Sequence, residues 1–131
     1  MAGDGAGAGA DDEPVWEPLG EDVRRTLELI LGEDTPVVRA YRAQIPHTRM
    51  TVGCTCGCPS TYLLVDREAV PAAPATPGAP VVASRSVLSA AGDWIGEALV
   101  FGDGYLHDLE VSHFPDLGPL DLPLWQRIAD H

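Results

Sequence analysis

The chain has 131 residues, enough for one folded domain with its own hydrophobic core. Eight basic residues stand against 20 Asp and Glu, which gives a formal net charge of -12. Such a surface repels nucleic acids and anionic membranes, and it favours a basic protein partner. We expect a cytoplasmic protein, because no apolar run approaches the roughly 20 residues of a membrane span and the N-terminus lacks a signal peptide's basic and apolar parts.

The distribution of glycine, proline and alanine predicts the domain organisation. Residues 1–14 form an acidic Gly/Ala run with no apolar periodicity, so we expect a disordered tail there. Residues 15–131 are expected to form a single α+β domain, with a Pro/Ala-rich loop at 71–80.

Two helices are predicted near the start of the domain. Over Glu21–Leu31 the apolar residues recur at helical spacing, at Val23, Leu27, Ile30 and Leu31. Thr35 followed by Pro36 is typical of a helix start, and the second helix should run to about Ile45. The short link between them predicts that the helices are neighbours.

Strand patterns follow the helices, and Asp103-Gly104 predicts a two-residue hairpin turn. That turn places Val100 opposite His107. The predicted strands are Met50–Cys56, Thr61–Asp66, Val81–Leu88, Ala98–Phe101 and Tyr105–Val111. We therefore expect an α+β fold in which two N-terminal helices pack on an antiparallel sheet of four to five strands.

The three cysteines, Cys54, Cys56 and Cys58, alternate along one run, so their sulfurs would share one face of a strand. Thiolates are preferred zinc ligands, and His47, His107 or His113 could supply the fourth. Two other interpretations remain: small buried hydrophobes on a strand face, or a catalytic thiol at Cys58. A Cys-x-Cys spacing is too tight for a zinc knuckle, so the expected cofactor is none, with zinc as the alternative.

Three carboxylates form a candidate binding patch. In the predicted hairpin register Glu97 lies opposite Glu110, with Asp108 on the same face. They could bind a cationic partner, or they could simply be a solvated face near the base of the hairpin.

The segments Cys56-Gly57-Cys58-Pro59-Ser60, Gly104-Tyr105-Leu106 and Leu109-Glu110-Val111 resemble those of a group of small uncharacterised actinobacterial proteins. The resemblance spans roughly residues 37–124 and implies a high-GC origin, and no active site follows from it. The sequence shows no catalytic constellation. It favours a small acidic, non-enzymatic binding or regulatory protein of the immunity type, and the alternative is a metal- or thiol-dependent protein that uses the cysteine cluster.

Overall fold

The computed structural model describes residues 15–52, 60–74 and 80–129. These residues form one six-stranded antiparallel sheet in the order β1-β2-β3-β6-β5-β4, together with two α-helices. The strands are β1 (Glu17–Pro18), β2 (Thr48–Val52), β3 (Thr61–Val65), β4 (Val81–Leu88), β5 (Trp94–Gly102) and β6 (Leu106–His113). The helices are α1 (Glu21–Ile30) and α2 (Pro36–Arg42), and short 3-10 turns cover Ile45–His47, Pro115–Leu117 and Leu124–Arg127.

The predicted fold class needs correction. The fold is α+β, but the sheet has six strands rather than four to five, and both helices follow the first strand instead of opening the domain. Helix α2 is also short, at seven residues. The missed strand β1 has only two residues, and one of them is Pro18, which has no N–H to donate to a ladder. A strand this short has no alternation to detect.

Both segments predicted to be helical contain helices, and their apolar residues are on the buried side. Thr35 caps α2 as predicted, because its Oγ1 accepts a hydrogen bond from Val38 N at 3.2 Å. Helix α1 buries Leu27 and Ile30, and α2 buries Val38 and Tyr41. Both helices therefore turn their apolar stripes toward a common core.

The core lies between the helices and one face of the sheet. From β5 and β6 it receives Ala98, Val100, Leu109 and Val111, all of them buried. Gly102 lies directly under the Tyr41 ring, where an added Cβ would come within 2.6 Å of the ring carbon Cε1. Glycine is thus required for the close approach of α2 to the sheet.

The predicted Asp103-Gly104 hairpin is present, with β5 and β6 as antiparallel neighbours. The predicted register of the two strands, however, is wrong. Val100 pairs with Leu109 rather than with His107. The pair that closes the loop is Gly102 and Leu106, so three residues form the turn instead of two, and Gly104 adopts φ +83°. A register irregularity follows next to that pair, which buries Leu106 and leaves His107 exposed.

Two side chains at the end of α2 hold this hairpin loop. The Tyr41 hydroxyl accepts a hydrogen bond from Gly104 N at 2.8 Å. The fully buried Gln44 donates from Nε2 to Gly104 O at 2.8 Å, and its Oε1 accepts from Leu106 N at 3.0 Å. These bonds join the end of α2 to the turn between β5 and β6.

Residues 1–14 and 75–79 lie outside the described part of the chain, so the acidic tail and most of the proline-rich loop stay predictions. No helix within residues 15–52, 60–74 and 80–129 has the length and apolar character needed to cross a membrane.

Candidate binding face

The helices cover one face of the sheet, and the opposite face, here called the open face, carries the predicted carboxylates. Ala98 and Val100 point into the core, so Glu97, Leu99 and Phe101, which alternate with them along β5, point to the open face. The pairing of Phe101 with Asp108 places that carboxylate on the same face. Leu99 pairs with Glu110, which adds the third.

Glu97 does not lie opposite Glu110, contrary to the predicted register. Its partner on β6 is Ser112, and its partner on β4 is Ser86. Glu110 therefore stands diagonal to Glu97 on the open face, at about 7–8 Å between backbone positions. The repulsion between directly opposed like charges is avoided, and the three carboxylates still share one surface.

Glu97 has a further unusual feature. Its Oε2 atom is buried and receives no hydrogen bond from any described residue. A carboxylate oxygen withdrawn from water without a donor is energetically costly.

Asp108 is held by its neighbour on β6. Its Oδ2 lies 3.3 Å from Nδ1 of His107, and the His107 ring tilts against Phe101 with 6.2 Å between ring centroids. These contacts orient the carboxylate at the middle of the open face, beside an aromatic surface.

Apolar side chains accompany the carboxylates, and the sequence prediction did not include them. Cross-strand pairs run over the sheet as a continuous row from Tyr62 through Asp108 and Phe101 to Val81. Tyr62 is 49% exposed and Val81 is 39% exposed. Apolar side chains therefore lie on both sides of Asp108 on the open face.

Of the predicted zinc ligands, the structure describes His47 and the alternative histidines but none of the cysteines. Cys54, Cys56 and Cys58 lie outside the described ranges, so their arrangement stays a prediction. His47 is exposed at the end of a 3-10 turn. His113 is engaged elsewhere, because its Nε2 donates to Gly118 O at 2.8 Å. In the ranges 15–52, 60–74 and 80–129 no group of three His, Cys, Asp or Glu residues is arranged to hold a metal ion.

A second feature of the open face was also missed by sequence reasoning. A cleft of about 460 Å³ lies over β2 and β3, with Trp16, Arg49 and Leu64 among its walls. Arg49 and Leu64 are cross-strand partners, and Trp16 immediately precedes β1, the strand that pairs with β2. The three residues are far apart in sequence, so only the pairing of β1, β2 and β3 brings them together.

The chain matches no protein-family model, no curated protein and no solved structure. The resemblance to actinobacterial proteins therefore stays a prediction.

Proposed function

We propose that this chain is a small, non-enzymatic binding protein of the immunity or regulatory type, which covers a basic surface of a partner protein with its open face. The observation that carries the proposal is the row of Tyr62, Phe101 and Val81 around Asp108, with Glu97 and Glu110 on the same uncovered face. Apolar contacts would supply affinity, and the carboxylates would select a cationic partner.

The charge of the whole chain supports the same choice of partner. A net charge of -12 accelerates encounter with a basic protein and discourages nucleic acids and anionic membranes. A cytoplasmic location belongs to this proposal, because three cysteines cannot all pair within one chain and a reducing compartment keeps thiols free.

A basic amphipathic probe tests the proposal on the full chain. A short peptide of alternating Arg and Leu is titrated into ¹⁵N-labelled protein, and the perturbed amide signals are mapped onto the sheet. We expect saturable shifts in β3, β5 and β6, and an affinity that falls as salt rises.

Two matched substitutions distinguish binding at the open face from attraction to the overall negative charge. Glu110→Gln removes one exposed carboxylate from the open face, and Glu33→Gln removes one from the loop between the helices. We expect Glu110→Gln to weaken peptide binding about fivefold, and Glu33→Gln to leave it nearly unchanged. Equal losses in the two variants, or shifts scattered over the helices, would show that the peptide senses only overall charge.

A further inference from the structure

The cleft over β2 and β3 has the composition of a small-ligand site. Its apolar surface comes from the indole of Trp16 and from Leu64, which is 45% exposed on the open face. Its volume of about 460 Å³ falls within the roughly 300–1,000 Å³ range of small-molecule pockets. Both an indole and an aliphatic side chain offer apolar surface on which a planar ring can pack.

Arg49 gives the cleft a cation that no described carboxylate neutralises. Within the described ranges, no carboxylate lies within ion-pair distance of Arg49, although the chain has 20 acidic residues. Arg24 and Arg39, by contrast, each have a carboxylate at 3.0–3.1 Å. The other arginine of the cleft, Arg67, holds its guanidinium over the Tyr105 ring at 4.6 Å. Of the two arginines in the cleft, Arg49 is thus the one available to an anion.

The remaining walls limit how much negative charge a ligand can carry. Asp66 and Glu68 also line the cleft, and the Oδ1 of Asp66 accepts a hydrogen bond from Glu68 N at 3.1 Å in a tight turn. These two carboxylates and the net charge of -12 oppose a polyanion. His47, which is exposed and lines the same cleft, offers a ring N–H as a second donor beside Arg49.

We propose that this cleft binds a small aromatic oxyanion, a carboxylate or a phosphate ester on a planar ring. The oxyanion pairs with the Arg49 guanidinium and the ring lies against Trp16 and Leu64. The site uses neither Glu97 nor Glu110, so it does not depend on the partner surface proposed above.

The test follows the indole N–H signal of Trp16 in the full ¹⁵N-labelled chain, assigned with a Trp16→Phe variant. The probes are benzoate, phenyl phosphate and the neutral benzyl alcohol. We expect saturable shifts with benzoate or with phenyl phosphate and none with benzyl alcohol. A response to one oxyanion alone identifies which headgroup the cleft takes.

Two arginine variants locate the anion. Arg49→Gln should weaken binding about tenfold, whereas Arg39→Gln, an exposed position on α2, should leave it unchanged. Both side chains are exposed, so unchanged melting temperatures will verify that the variants are folded. The proposal is overturned if neither oxyanion binds below about 10 mM, if benzyl alcohol binds equally well, or if the two variants lose affinity alike.

Discussion

Replacing Gln44 with leucine should destabilise the fold strongly, although the two side chains have similar volumes. Gln44 is fully buried and bonds to both sides of the hairpin turn, through Gly104 O and Leu106 N. Leucine would fill the space and make neither bond. The perturbation therefore isolates the polar link between α2 and the β5–β6 hairpin from the packing around it.

The size of the destabilisation depends on which hydrogen bonds the two backbone groups keep in the variant. Gly104 O also accepts a hydrogen bond from Ala73 N at 2.7 Å, so it keeps a partner in the variant. Leu106 N loses the acceptor that Gln44 provides, and the residue is only 1% exposed. A buried, unsatisfied N–H costs about 1–3 kcal/mol and a lost hydrogen bond about 1 kcal/mol, which gives roughly 2–4 kcal/mol in total. This is a large part of the roughly 5–15 kcal/mol by which such domains are stable. For a domain of this size, such a loss should lower the melting temperature by about 10 °C.

Urea unfolding followed by far-UV circular dichroism measures this change, with the m-value as a check that the denatured state is unaltered. Gln44→Glu keeps an acceptor for Leu106 N but turns a carboxylate oxygen toward Gly104 O, so at neutral pH it should cost at least as much. Ala43→Gln, at the exposed neighbouring position, is the control and should stay within about 0.5 kcal/mol. A loss below about 0.5 kcal/mol for Gln44→Leu would refute the reasoning.

Substitutions at two other positions, Asp22 and Gly96, test further contacts by thermal unfolding, and a metal measurement tests the cysteine run. Asp22 accepts hydrogen bonds from the first two amides of the last 3-10 turn at 2.8 and 2.9 Å, so Asp22→Ala should cost about 1–2 kcal/mol and Asp22→Asn less; equal losses would contradict a capping role. Gly96→Ala would drive its Cβ into the Ser112 carbonyl oxygen and should cost about 2–3 kcal/mol, which a neutral result would disprove. For the run Cys54–Cys58 we expect no bound metal, and stoichiometric zinc in native mass spectrometry, lost together with stability on chelation, would establish the thiolate site instead.

The helices were predictable because their signals are local. Thr35 and Pro36 mark a helix start within two residues, and the four-residue step from Leu27 to Leu31 marks a buried stripe. Gln44 gave no such signal. A polar residue after an amphipathic helix is ordinarily exposed, and its burial depends on a hairpin loop 60 residues later.

Errors in the sheet arose where pairing depends on distant residues. The turn at Asp103-Gly104 was correctly located, but closure at Gly102 and Leu106 shifted every pair of the predicted register. The burial of Ala98, Val100, Leu109 and Val111 does not depend on that register, because alternation along each strand already places them on one face.

Only those features of the candidate sites that lie within a single strand could be predicted from the sequence. The open-face positions of Asp108 and Glu110 follow from alternation along β6. Tyr62 reaches Asp108 only because β3 pairs with β6, and Arg49 reaches Trp16 only because β1 pairs with β2. Sequence patterns give the composition of each strand, whereas the order of strands determines which side chains meet.

The order of the strands keeps the charged groups of the two proposed sites apart. Arg49 lies on β2, and Glu110 lies on β6, with β3 between them. Exposed charges on separate strands interact weakly at physiological salt, where the Debye length is about 8 Å. We therefore expect Arg49→Gln to weaken benzoate binding and leave binding of the Arg/Leu peptide unchanged, and Glu110→Gln to do the reverse. Titration of both probes into both variants measures this, and a variant that loses both activities together would show that the open face is one continuous site.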